Sequence, residues 1–187
     1  MKKFELTNEF ITNMFGTKLF RIRALVEFGD VEAGELGGYV EKESNLGHDD
    51  NAWVYDNAWV YGDAQVSGNA RVCGDARVCG DARVCGDAQV SGDALVYGNA
   101  RVCGDARVCG DARVCGNGDY AYAHGFGSVN RTTTFFRLKD GGVGVRCGCF
   151  YGTLAQFRDK IRETHGETKK AQEYLMLADL MKLRFEK

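Results

Sequence analysis

A six-residue period runs without a slip from Ala52 to Gly118, written NAWVYD, NAWVYG, DAQVSG, NARVCG, DARVCG and so on to DARVCGNG. Alanine stands at 52 and at every sixth position to 112; valine stands at 54 and at every sixth position to 114. Side chains alternate along an extended segment, so each A-x-V places two small or branched apolar groups on one side. The x-G-[D/N] that follows supplies a bend. Glycine tolerates dihedrals that other residues avoid, and Asp or Asn bonds back to the backbone. Six residues cannot bury an apolar face alone, so the units must coil and stack into a solenoid. Three units per turn predict a triangular rung of 18 residues. The eleven units make a little under four rungs, a stack on the order of 20 Å tall at the ~4.8 Å spacing of paired strands.

The 187 residues suffice for one sizeable core. No apolar run approaches the ~18 residues that cross a bilayer, so no membrane association is expected. Met1-Lys2-Lys3-Phe4-Glu5-Leu6 has basic residues with no apolar core behind them and reads as no secretion signal. The eight cysteines are therefore expected to stay reduced in a cytoplasm. The net charge of −2 conceals an asymmetry: residues 1–51 carry six basic and ten acidic side chains, residues 126–187 twelve and seven. That polarity falls short of the basic excess usual in nucleic-acid-binding domains.

Three units follow from the pattern: 1–51, an N-terminal β-hairpin and irregular first rung; 52–125, the solenoid; 126–187, a β-hairpin and two helices. In the first, Phe10–Thr12 and Lys18–Leu25 flank a turn at 13–17, with Phe20, Ile22 and Ala24 alternating with Arg21 and Arg23. Val40 and Leu46 stand six apart but Leu46 and Val54 eight, which predicts a two-residue insertion near His48-Asp49. In the last, Thr132–Leu138 and Val143–Phe150 flank Lys139-Asp140-Gly141-Gly142 as a hairpin. Thr153 with Gln156 three residues on predicts a capped helix ending at Gly166. A second helix spans about Glu167 to Phe185, and its apolar residues cover more than one face. It is expected to be sandwiched within the monomer or to meet another subunit in a homo-oligomer.

The order V-x-G-[D/N]-A-x, with Val78 and Ala82 at buried positions, resembles the hexapeptide signature of the left-handed parallel β-helix found in hexapeptide acyltransferases. The resemblance covers about a third of the chain and implies a mainly β fold, a parallel β-helix of the left hand. Gly37-Gly38-Tyr39-Val40-Glu41-Lys42-Glu43 and Arg146-Cys147-Gly148-Cys149-Phe150, followed by Gly152-Thr153-Leu154, also look like prophage-encoded hexapeptide-repeat proteins of gut bacteria. This second resemblance implies a phage-associated protein in the cytoplasm of a bacterial host.

Outward residues fall into columns 18 apart. One face carries Trp59, Arg77, Leu95 and Arg113 beside Tyr61, Cys79, Tyr97 and Cys115; a second carries Gln65, Arg83 and Arg101 beside Ser67, Cys85 and Cys103; a third carries Trp53, Arg71, Gln89 and Arg107 beside Tyr55, Cys73, Ser91 and Cys109. The first is the most aromatic and is expected to be covered by the terminal segments or a partner. Arg83 and Arg101 become direct neighbours, with Asp81, Asp87 and Asp105 as available countercharges. Cysteines six apart lie on different faces and gather no ligand set, so they read as packing residues, with no metal and no cofactor expected. Cys85 and Cys103 stack closely enough for contact, and Cys147-Gly148-Cys149 is read as part of a strand.

The leading functional reading is a non-catalytic binding protein. Its binding candidates are Trp53, Tyr55, Trp59, Tyr61, Arg77, Tyr97 and Arg113, with a host protein or nucleoprotein complex as partner. The prophage resemblance extends this to a counter-defence inhibitor of a target such as a CRISPR effector. The acyltransferase resemblance implies instead acetyl-CoA and a histidine base, for which His124 is the candidate. Direct nucleic-acid binding through Arg158, Arg162, Lys169 and Lys170 is the third reading.

Overall fold

Two-residue strands recurring every six residues build the centre of the molecule. The structure is a computed structural model, and it describes residues 2–126 and 131–186. Strands β1 (Phe4–Thr12), β2 (Lys18–Ala24) and β3 (Leu36–Val40) precede eleven short strands, β4 to β14, running from Trp53–Val54 to Arg113–Val114. β4, β7, β10 and β13 stack as one parallel sheet, and β6, β9 and β12 as a second. β3, β5, β8, β11 and β14 form the third, which β2 and β1 extend antiparallel into a seven-stranded sheet. Every array pairing joins residues 18 apart, as in Trp59↔Arg77 and Val60↔Val78. The first rung differs by two: Val40 lies opposite Val60 and Leu46 opposite Val66. The insertion near His48-Asp49 accounts for that offset. The protein is a mainly β, β-solenoid molecule of about four turns.

All eleven alanines and all eleven valines of the array are buried in one continuous core. Their small size sets the narrow bore that three short sides enclose. The corners need glycine: Gly68 has φ +70, and a Cβ there would stand 2.9 Å from the backbone nitrogen of Gly86 in the next rung. At Asp56, where later units have glycine, φ is +53, and its carboxylate accepts the Gly74 N–H at 3.0 Å.

A solenoid exposes an unpaired rim at each end, and the non-repetitive segments close both. At the N-terminal end Phe4, Ile22, Ala24 and Val31 join the core. Lys3 is buried, its ammonium donating to the Asp50 and Ala52 carbonyls at 2.6 and 2.9 Å. Asn45 Nδ2 serves the Gly62 and Ala64 carbonyls at 3.0 and 2.8 Å. At the other end Phe136 enters the core under the last rung, Thr134 Oγ1 accepts the Arg107 N–H at 2.9 Å, and Asn117 Oδ1 accepts that of Arg101 at 2.9 Å. The terminal segments thus cap the two ends. The expectation that they cover the aromatic face is corrected: a parallel stack leaves its backbone orphans at the rims, where desolvated groups most need partners.

The C-terminal sheet has four antiparallel strands: β15 (Tyr120–Phe126), β16 (Arg131–Arg137), β17 (Val143–Cys147) and β18 (Phe150–Thr153). The anticipated hairpin is β16–β17. Residues 120–125, assigned above to the solenoid unit, instead begin this sheet. Gly148, at φ +58, and Cys149 make the turn between β17 and β18, so the C-x-C does not lie within one strand. Helix α1 (Leu154–His165) starts at the predicted capping box, with Thr153 accepting the Gln156 N–H. Helix α2 (Lys169–Phe185) buries Ala171, Tyr174, Ala178, Met181 and Phe185 against α1 and the sheet. Cys85 and Cys103 are joined by a disulfide, which corrects the reading of both as reduced packing residues. The 18-residue register holds their Cα atoms 4.6 Å apart, within bridging range.

Candidate functional site

The seven-stranded sheet carries Trp59, Arg77 and Arg113 of the predicted binding residues, with Tyr61 and Tyr97 beside it. Its outward column runs Arg21, Tyr39, Trp59, Arg77, Leu95, Arg113. Arginine and aromatic groups stack in pairs along it. The Arg77 guanidinium lies 4.4 Å from the Trp59 ring centre and that of Arg21 5.3 Å from the Tyr39 ring. Arg21 also donates to the Tyr39 hydroxyl at 3.1 Å, which in turn donates to Glu9 at 3.0 Å. Arg113 is held by the carbonyls of Asp93 and Ala112, each at 2.9 Å. The neighbouring column holds Tyr61 and Tyr97, half-buried like Trp59. Burial pushes the Tyr61 phenol up to about 12 and raises that of Tyr97, so both stay neutral hydrogen-bonding groups. Sequence reasoning missed Arg21 and Tyr39 as members of this column. The alternation of β2 did mark Arg21 as outward, but nothing local shows that β2 pairs with β3.

Two predicted residues lie elsewhere. Trp53 is buried: Phe28 meets it edge-on at 5.3 Å and Phe4 at 6.2 Å between ring centres. Tyr55 donates to Asp30 at 3.0 Å, and Arg71 grips the same carboxylate through two bonds of 3.0 and 3.1 Å. Burial, then the Asp30 hydrogen bond, pushes the Tyr55 phenol up to about 12. Both residues fasten the N-terminal segment to the third face; Trp53 points outward from the bore as its register predicts, but it is covered there, which corrects its reading as a binding residue.

The C-terminal basic residues are dispersed. Arg158 is half-buried and bonded to Asp179 at 2.5 Å, and Arg162 pairs with Asp159 at 3.2 Å. Lys169 and Lys170 are exposed in the first turn of α2, where the helix dipole disfavours cations. Arg83 and Arg101 are paired neighbours, and the countercharge expected from Asp81, Asp87 and Asp105 does not form: neither arginine makes a salt bridge among the described residues. On α2, Met176, Leu180 and Leu183 form an exposed apolar stripe.

His124, on β15, stands at a cleft of about 460 Å³ lined also by Asp87, Asp105, Arg107, Arg131 and Thr132. Its Nδ1 is 2.8 Å from Thr132 Oγ1 and 3.8 Å from the Asp105 carboxylate. These three residues come from the solenoid corner and two strands of the C-terminal sheet, so no sequence spacing advertises the grouping. The cleft is charge-balanced, with two carboxylates facing two guanidiniums.

The comparisons with known proteins bear on the repeat. Residues 64–80 and 88–104 match the family model described as YdcK Beta solenoid repeat. No curated protein matches the chain. The matched segments lie in the stacked rungs and include neither the capping segments nor His124. The protein is therefore a β-solenoid whose rungs are similar to the YdcK beta solenoid repeat.

Proposed function

We propose that this chain is a non-catalytic binding protein that docks a macromolecular partner through the seven-stranded sheet. The observation that carries this reading is the stacked Trp59–Arg77 pair on the sheet, flanked by Arg21 lying over the buried Tyr39 ring. Tryptophan, tyrosine and arginine dominate binding energetics where they are held in place, because large contact area is then gained at little entropic cost. The narrower form, a phage-associated counter-defence inhibitor of a host protein or nucleoprotein complex such as a CRISPR effector, rests on the resemblance of residues 37–43 and 146–154. The apolar stripe of α2 supports self-association as a further part of the proposal. Leu180→Glu is expected to shift sedimentation toward a slower species; an unchanged coefficient removes it.

The deciding experiment is affinity capture from bacterial lysate, with and without nuclease treatment, using wild-type protein, Arg77→Glu and the double variant Arg158→Glu/Arg162→Glu. The expected outcome is a partner retained by wild type and the double variant and weakened at least tenfold by Arg77→Glu, about 1.4 kcal/mol. Capture that needs intact nucleic acid and fails only with the double variant installs the nucleic-acid reading instead. The proximity of Asp105 and Thr132 to His124 favours the acyl-transfer reading as the second choice. Thermal stabilisation by acetyl-CoA that disappears in His124→Ala would establish it over the binding reading.

A further inference from the structure

A second cleft, independent of the docking sheet, lies between the C-terminal sheet and the two helices. Its volume is about 260 Å³, the space of roughly nine waters at ~30 Å³ each and below the ~300–1,000 Å³ of sites for drug-sized ligands. Phe150, Phe157 and Ile161 supply apolar wall and floor. Phe150 and Phe157 lie 5.4 Å apart between ring centres, and Phe157 meets Tyr174 edge-on at 5.8 Å. The polar groups at the bottom are already satisfied. Tyr174 donates to the Phe126 carbonyl at 3.2 Å, and Cys147 Sγ accepts from Thr133, which lies behind the lining, at 3.2 Å. Satisfied donors leave an interior that rewards apolar contact.

The rim has one sign of charge. Arg131 and Lys160 carry it, with the His165 imidazole beside them, and no carboxylate lines it among the described residues. Lys160 is engaged by Glu163 at 2.9 Å, whereas Arg131 makes no salt bridge among the described residues. The absent side chain of Gly148 leaves room for the Arg131 guanidinium against the β17–β18 turn. Arg131 also borders the His124 cleft with its two aspartates, so its charge is shared between the two openings. His165 stacks on Tyr174 at 5.9 Å at the C-terminus of α1, with its ring nitrogens available as hydrogen-bonding groups on the rim.

We propose that this cleft binds a small organic anion: a carboxylate on an aromatic or short aliphatic body of roughly ten non-hydrogen atoms, its ring or chain against Phe157 and Ile161 and its carboxylate toward Arg131 and His165. Charge complementarity selects the anion. The apolar floor and the volume select its body over inorganic phosphate or acetate.

The test is calorimetric titration of the full chain with benzoate, benzyl alcohol and acetate. Benzoate is expected to bind saturably, at least tenfold tighter than either control, since a charge-assisted hydrogen bond is worth about that factor. Arg131→Gln should erase the preference for benzoate over benzyl alcohol, and Thr164→Trp, at an exposed position on the rim, should abolish binding of both. Unchanged thermal unfolding checks that each variant is folded. As a second readout on the wild type, saturating benzoate should slow alkylation of Cys149, an exposed lining residue, and leave Cys115 unchanged in the same digest. Equal binding of benzoate and benzyl alcohol, binding that survives Thr164→Trp, or no saturation by about 10 mM would overturn the proposal. None of these outcomes bears on partner capture by the docking sheet.

Discussion

Trp53→Ala is expected to lower the unfolding free energy by about 3–5 kcal/mol, whereas Trp59→Ala, one repeat later, is expected to change it by less than about 1 kcal/mol. The two tryptophans occupy the same place in successive units, NAWVYD and NAWVYG. They differ in what lies outside them. Trp53 is fully buried beneath Phe4 and Phe28, and Gly37 passes so close that a Cβ there would stand 2.8 Å from the indole. Truncation leaves a cavity with rigid walls on one side, because the rung backbone cannot collapse into it without breaking its ladder. Trp53→Phe should cost only about 1 kcal/mol. It keeps most of the packing and removes an indole N–H that has no hydrogen-bond partner among the described residues. Urea unfolding of the three variants measures this. Equal losses for Trp53→Ala and Trp59→Ala would show that the N-terminal segment does not cover the third face.

The second large effect is a rise in stability with pH between about 8 and 10.5. Burial holds the Lys3 ammonium down to about 8 from its ordinary 10.5, against the attraction of Asp50 and Asp49. In this window the unfolded chain keeps the proton and the folded chain has released it. The unfolded state therefore binds more protons, and stability increases with pH. The neutral amine still has two hydrogens for the Asp50 and Ala52 carbonyls. The destabilisation present in full below pH 8 is relieved by about 3 kcal/mol across the window, at about 1.4 kcal/mol per pH unit. The measurement is the difference in unfolding free energy between wild type and Lys3→Met at pH 7.5, 9 and 10.5. Groups that titrate equally in both proteins, the tyrosines and thiols among them, cancel. The wild-type advantage should grow with pH, and a flat or falling difference would contradict the burial of a charged Lys3.

Much of the fold is legible in the residues because a strict repeat carries its own register. Ala and Val at fixed offsets define which side chains enter the bore. A period of six taken three at a time then places Trp59 on Arg77 and Arg83 on Arg101 with no further information. The capping box at Thr153 and Gln156 and the Lys139–Gly142 turn are legible for the same reason: each is local chemistry within a few residues. The Cys85–Cys103 contact was legible as geometry. The bond itself is not legible: the N-terminal residues imply reduced thiols, whereas the structure joins the two sulfurs that the register places side by side.

The candidate sites were less legible, since most depend on how non-repetitive segments dock. Arg21 joins the aromatic column only because β2 pairs with β3. His124 meets Asp105 and Thr132 only because β15 and β16 tuck under a solenoid corner. The cleft at Arg131 and Phe157 exists only where α1 crosses the C-terminal sheet. These are contacts between residues far apart in sequence, chosen by which rim or face needs covering, and no period encodes them.

By itself, then, the amino-acid sequence determined the solenoid, its 18-residue rung and the composition of each outward column, because a strict Ala/Val period fixes which side chains enter a narrow core and which residues pair. Only the tertiary structure decided which tryptophan is core and which is surface, which end each terminal segment closes, and where cations are left without acids. Those outcomes follow from satisfying the backbone and apolar groups left over at the two ends of a stack, a demand that belongs to the assembled molecule and to no single unit of it.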